Sequence, residues 1–313
     1  ASQVEVTFYN NDTASAVLFT SAFGSNANYV GELTISGGEF KHASDTQEMI
    51  VDHYDESNKG NAVVTGGKFD ADISKYIPTD YVQSADGTVE KLGETNAVAK
   101  VGGTYYKTLA DAVAAAQDGD TITLLKDAEL TSTLNLAKNI TIDGQGKYTI
   151  KAANSFTVGS DNKTYCVLYV SGEVTLKDVT VNGNEKCRVI FCDKGKLTID
   201  GATITNGKAP NFIGGVYMTS SASFEMKSGS ITGNKNAKGY QNDEYLQYSS
   251  DLWIGANANG ALTAINGGTI GNVFVNANAW SASNPGSFTM NGGTVTNLYV
   301  EHDANYGAKF KYT

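Results

Sequence analysis

Apolar and polar residues alternate in short bursts along this chain, and each burst ends at a break, usually rich in glycine. Leu33 to Phe40 reads LTISGGEF, and Ala62 to Phe69 reads AVVTGGKF. Alignment on the apolar residue before the break collects Ile35, Val64, Ile142, Leu176, Ile199, Met226, Ile265 and Met290. From Leu176 onward these positions are 23, 27, 39 and 25 residues apart, and the 39 marks an insertion. A second apolar burst precedes each break, as in VLYV (167–170), VIFC (189–192), VYMT (216–219), LWIG (252–255) and LYVE (298–301), and a third follows it, as in TITN, SITG and TVTN. A fixed repeat of this size signals a solenoid. Three short strands per turn of about 22–27 residues predict an all-β, right-handed parallel β-helix, with like strands stacked about 4.8 Å apart. The glycines belong at its corners, where a positive φ is cheap only without a Cβ.

The residue after each aligned position reads Asp143, Lys177, Asp200, Lys227, Asn266 and Asn291 on successive turns. Stacked in register, these form a ladder of alternating charge that resists strand slippage. Asn206, Asn272 and Asn297 suggest a second, asparagine ladder. Texture changes between Asp70 and Gly103, a polar, turn-rich stretch holding Pro78. Residues 1–95 then read as the closing turns of one β-helix block plus a linker, and 96–313 as a second, capped block. The cap is a short helix at about 108–117, with Thr108 as N-cap, Leu109, Val113 and Ala116 on one face, and a stop at Asp118-Gly119.

The run YKTLADAVAAAQDGDTITLLKDAELTSTLNLAKNITIDGQG (106–146) resembles the N-terminal cap and first turns of the pectin-lyase-like β-helix superfamily. That resemblance covers 104–313 and implies the fold more than any activity. The blocks GGKFDADISKYIPTDYVQSADGTV and NGGTVTN further resemble modular surface proteins of anaerobic Gram-positive bacteria, which implies a secreted or wall-displayed protein with an adhesive role.

Composition narrows the partners. A net charge of -10 and a pI near 4.8 argue against nucleic acid and anionic membranes, which require clustered cations. No stretch approaches 18 consecutive apolar residues, so no membrane-inserted helix is expected. The polar start ASQVEV suits the mature end of an exported chain. Cys166, Cys187 and Cys192 lack metal-ligand spacing and read as buried free thiols, with a single bridge as the alternative.

The resemblance also tells which catalytic sets to seek. A polygalacturonase-like set needs a histidine and an Arg-x-Lys motif, but the sole arginine, Arg188, precedes Val-Ile, and no histidine lies between His53 and His302. A methylesterase-like pair of aspartates beside Gln and Arg does not align. A pectate-lyase-like site joins carboxylate-bound Ca²⁺ to a basic residue that abstracts the proton α to a uronate carboxylate. Asp178, Glu185 and Asp193 lie near Arg188 in sequence, and through them alone Ca²⁺ enters as a cofactor; the simpler reading makes Arg188 a surface or ion-paired residue. Asp143 and Asp200 invite an acid–base reading, but Lys177 between them favours a structural ion-pair row. His42, His53 and His302 read as surface or turn residues. No catalytic residue, cofactor or metal ligand is assigned.

The insertion carries Tyr240, Gln241, Asn242, Asp243, Glu244, Tyr245, Tyr248, Asp251 and Trp253, and Trp280 follows one turn later. Tyr and Trp stack on sugar rings while amides and carboxylates bond hydroxyls, so Tyr240, Gln241, Asp243, Glu244, Tyr245, Tyr248 and Trp280 are candidate contacts for a glycan or a host or cell-surface protein. The alternative is a self-packed loop with Trp253 turned inward. At the chain ends, Val4, Val6 and Phe8, and Phe310 and Tyr312, look strand-like and capless. This suggests either a piece of a longer array or chains joined head to tail. The expected function is a non-enzymatic extracellular or cell-surface β-helix acting as stalk, fibre subunit or adhesin; the alternatives are a polysaccharide lyase and a carbohydrate-binding module.

Overall fold

The computed structural model describes residues 7–8, 16–19, 31–41, 48–52, 60–209, 213–236, 250–255, 263–276 and 287–300. Two compact units emerge, one of residues 1–97 with 105–107 and one of 98–104 with 108–313.

In the second unit three series of parallel strands wind around a single core. The first series, face A, stacks Thr121–Leu124, Ile140–Asp143, Glu173–Lys177, Gly195–Asp200, Ala222–Met226, Thr263–Ile265 and Thr289–Met290. Face B stacks Ala128–Leu130, Thr149–Ala152, Thr180–Asn182, Thr203–Thr205 and Ser230–Ile231. Face C stacks Leu134–Leu136, Cys166–Val170, Arg188–Cys192, Val216–Met218 and Leu252–Ile254. In the last two turns Thr269–Val275 and Thr294–Val300 run straight through the corner, joining faces B and C. The architecture is an all-β parallel β-helix.

Register follows the apolar repeat. Ile142, Leu176, Ile199, Met226, Ile265 and Met290 are partners in succession, and the same holds for Ile150, Val181, Ile204, Ile231 and Ile270, and for Leu168, Ile190, Val216, Leu252 and Val273. All but Met290 are buried. Alternate residues of a strand face opposite sides, so one inward position per short strand builds a continuous column. Each such side chain contributes roughly 1.5–3 kcal/mol of burial. At the A-to-B corner Gly268 takes φ +85, and a Cβ on Gly267 would meet the Lys227 carbonyl oxygen at 2.3 Å, so both glycines are required. In the turn lacking glycine here, Asp178 takes the left-handed conformation at φ +45.

The outer surface of face A carries the expected ladder. Lys177 pairs with Asp143 at 2.9 Å, Lys227 with Asp200 at 3.8 Å and, one column over, Lys196 with Glu225 at 2.7 Å. Asn291 Nδ2 donates to Asn266 Oδ1 at 2.8 Å, extending it in neutral residues. Exposed pairs of this kind contribute about 0.2–1 kcal/mol each, and their larger effect is on register. The second ladder is shorter than expected: Asn297 Nδ2 donates to Asn272 Oδ1 at 2.8 Å, but Asn206 does not join. Its backbone is left-handed at φ +55, and Gly233 occupies the equivalent place in the turn between.

The helix spans Leu109–Ala115, shorter than its sequence pattern, and buries Leu109, Ala112 and Val113. Thr108 Oγ1 accepts from the Asp111 amide at 3.0 Å and donates to its carboxylate at 2.7 Å. The other end is closed from the next turn, where Lys138 Nζ donates to the carbonyls of Val113, Ala114 and Ala116 at 3.2, 2.7 and 2.6 Å. A cation there satisfies orphan carbonyls and complements the helix dipole. Lys138→Met is therefore expected to cost about 1–2 kcal/mol in urea unfolding, with the slope unchanged.

The first unit repeats the plan in small. Glu32–Phe40 and Asn61–Phe69 pair in parallel with Ile35 opposite Val64, and Phe40 stacks on Phe69 with ring centroids 4.7 Å apart. Thr7–Phe8 joins at Glu39 and Phe40, and Ala16–Phe19 pairs with Glu48–Val51. The turns end where Thr88–Lys91 lies antiparallel on Gly67 and Lys68, with Tyr81–Gln83 beside it and Ile73, Ile77 and Val89 closing the core. Among the described residues no helix is long and apolar enough to cross a membrane.

Candidate functional site

Tyr240, Gln241, Asn242, Asp243, Glu244, Tyr245, Tyr248 and Trp280 lie outside the described residues, as do His42, His53, His302, Val4, Val6, Phe310 and Tyr312. Phe8 is described only through the backbone pairing of its strand. What the structure does describe is the root from which the insertion leaves and returns.

The departing strand, Lys235–Asn236, pairs in parallel with Lys208–Ala209 of the preceding turn. At the returning end stands Asp251, which belongs to the insertion in sequence and is only 2% exposed. Its Oδ1 accepts from the Asn234 amide at 3.1 Å and from Asn234 Nδ2 at 2.8 Å. Its Oδ2 accepts from the Asn272 amide at 2.9 Å, Asn272 Nδ2 at 3.3 Å and Ser250 Oγ at 3.3 Å. One carboxylate thus joins the exit, the return and the following turn. Burial pushes the carboxyl above its ordinary value, and the hydrogen bonds from Asn234, Asn272 and Ser250 oppose that shift.

Just beyond, Trp253 alternates with the core residues Leu252 and Ile254 and therefore lies on the outer side of face C, not inward. It is buried there because it stacks on Tyr217 at 5.7 Å and on Phe274 at 4.3 Å, under Ile213. The stack runs on through Phe191 and Tyr169 in one direction and Tyr299 in the other.

Arg188 is neither exposed nor ion-paired among the described residues, contrary to the sequence expectation: it is 3% exposed. Its Nε donates to the Ile213 carbonyl at 3.1 Å and its Nη1 to Asn162 Oδ1 at 3.2 Å, while the guanidinium lies 4.9 Å from the Tyr217 ring and 5.6 Å from that of Phe191. A planar, weakly hydrated cation is suited to such a site, where ring faces stand in for a counterion. Burial lowers its pKa.

Two of the three carboxylates that could have made a Ca²⁺ site with Arg188 are engaged elsewhere. Glu185 pairs with Lys235, Asp193 meets Lys163 and Tyr169, and Asp178 forms a left-handed corner. Among the described residues no group of three or more potential ligands could hold a metal ion. Asp143 and Asp200 stand two rungs apart, roughly 10 Å. An ammonium faces each carboxylate, and Lys177 fills the rung where a sugar ring would have to sit. In the first unit a cleft of about 420 Å³ is lined by Phe69, Asp70, Asp72, Gln83, Ser84 and Asp86. Asp86 is held at about 2 by hydrogen bonds from the Thr88 amide, Ser84 and Thr88, and Gln83 is tied to Ala71 and Ile73, so these groups build the turn.

Cys166, Cys187 and Cys192 are free and buried, and burial pushes each thiol up to about 12. No thiol should react with Ellman's reagent at pH 8 in the native protein, and all three should react in guanidinium. Compared with protein-family models, with curated proteins and with solved structures, the chain matches none of them.

Proposed function

We propose that this chain is a non-enzymatic scaffold of an extracellular bacterial surface, serving as stalk, fibre subunit or adhesin. The observation that carries this reading is the commitment of outer polar side chains to one another from rung to rung: Asp143 to Lys177, Asp200 to Lys227, Glu225 to Lys196, Asn266 to Asn291. Groups used in this way stiffen a column, and these carboxylates are held by their partners and not free to act as acid or base. The resemblance to pectin-lyase-like β-helices and to surface proteins of anaerobic Gram-positive bacteria supports the extracellular setting.

The enzymatic alternative is a polysaccharide lyase. Its test is absorbance of unsaturated products from uronic-acid polymers, with and without Ca²⁺; a flat trace in both supports the scaffold, and Ca²⁺-dependent product would overturn it. A carbohydrate-binding role has one observation in its favour: the Asn234–Asp251–Asn272 network fixes both roots of the Tyr-rich insertion, as presentation of a binding loop requires. A glycan array with Tyr240→Ala and Tyr245→Ala variants tests it, binding to the parent chain alone being the positive result.

A further inference from the structure

Five Asn-Gly steps occur in the chain, at Asn182, Asn206, Asn259, Asn266 and Asn291, and all but Asn259 lie among the described residues. An asparagine before glycine is prone to lose its side-chain amide, because the next backbone nitrogen can reach Cγ where no Cβ obstructs it. Whether it does so depends on what that nitrogen is bonded to, since a donated N–H must first be given up.

The four described steps differ in this respect. Gly183 N donates to the Thr205 carbonyl at 3.0 Å and Gly207 N to Asn234 Oδ1 at 2.9 Å, and both glycines are buried. Gly292 N donates to the Ile265 carbonyl at 3.3 Å, and Asn291 Nδ2, the group that would leave, donates to Asn266 Oδ1 at 2.8 Å. Of the four, only the Gly267 N–H has no acceptor among the described residues. In earlier turns the amide at this corner place is engaged: Gly144 donates to the Lys177 carbonyl at 2.9 Å and Asp178 to that of Asp200 at 2.8 Å. Asn266 is also exposed, so water reaches it. The hydrogen bond that its Oδ1 accepts from Asn291 Nδ2 already points a donor at the oxygen on which negative charge develops as Cγ becomes tetrahedral.

We infer that Asn266 is a site of self-modification by deamidation. Gly267 N gives its proton to water and attacks Asn266 Cγ, the bond from Cγ to Nδ2 breaks, and ammonia leaves with a proton from water. Water then opens the succinimide to aspartate or isoaspartate. One water is consumed, one ammonia is released, and no oxidant or reductant is required. The inference is independent of the scaffold reading. Its product adds one negative charge to a chain of net charge -10, on the outer column of face A one rung beyond Lys227, since Met226 and Ile265 are partners. The row Asp143, Lys177, Asp200, Lys227 then continues in alternating sign, with Lys227, which stands 3.8 Å from Asp200, flanked by a carboxylate on either side. Against this, Glu225 Oε1 loses the hydrogen bond that Asn266 Nδ2 donates at 3.3 Å.

Peptide mass spectrometry of the full chain aged at pH 8, native and in guanidinium, tests this. The native protein should convert Asn266 about tenfold faster than Asn182 and Asn206, with Asn291 in between, and the denatured chain should convert all four at similar rates. A native chain in which Asn266 is not the fastest of the four, or the same spread of rates in guanidinium, overturns the inference. Asn291→Ala removes the donor from an exposed position and should slow conversion of Asn266 severalfold; an unchanged or faster rate overturns the part assigned to Asn291. The product is tested by making it directly. Lys227→Met should lower the urea midpoint of an Asn266→Asp chain more than that of the parent, and equal shifts would overturn the continued charge row.

Discussion

Asp251→Asn is expected to destabilise the second unit by about 3 kcal/mol, although it removes only a charge and leaves the shape intact. The carboxylate accepts from five donors, and no positive side chain is among them. An amide placed there must turn its NH₂ toward donor groups at Asn234 or at Asn272, leaving buried N–H groups without an acceptor. The pH dependence has a definite sign. Because the folded carboxyl sits above its unfolded value of 3.8, its titration contributes stability that is fully present below that value and lost as pH rises through the folded pKa. The gap between the parent and the non-titrating asparagine variant should therefore widen toward acid. Urea unfolding at pH 4 and pH 7 checks both the size and the sign. A variant as stable as the parent at both pH values would mean that the network carries no energy.

Phe224→Ala is expected to cost about 3–5 kcal/mol, through lost burial and the cavity left in the column. Phe224 is fully buried on face A between Leu197 on one rung and Thr263 on the next. Thr263 provides the contrast at the same level of the core. Its hydroxyl is buried without a hydrogen-bond partner, so Thr263→Val should stabilise by about 1 kcal/mol. Thermal and urea denaturation of the two variants should move in opposite directions. If Phe224→Ala were neutral, the inward column would not be packed at this rung.

The sequence makes the solenoid legible because its rules are local and repeated. An apolar residue recurring before each break specified the pairings from Ile142 to Met290, and Thr108 announced the helix start. The outer layer was less readable because burial there depends on which distant segment folds over it. Asp251 in a run of Tyr, Asn and Glu looks like surface until Asn234 and Asn272 converge on it from adjacent turns. Arg188 and Trp253 are covered by Ile213, whose proximity no spacing predicts. Asn206 fits the asparagine pattern in sequence, but its ladder is broken by the corner geometry at Asn206 and Gly233.

One property is central to this fold: each turn advances the stack by one strand spacing whatever its length in residues. Pulsed electron-spin distances between nitroxides test this directly, with one label at Thr141→Cys and the other at Ala264→Cys or Thr289→Cys, all on the same outer column of face A. Four and five rungs separate these pairs, so separations near 19 and 24 Å are expected, differing by about 4.8 Å. Distances that follow sequence separation, or a second pair no longer than the first, would contradict the parallel β-helix.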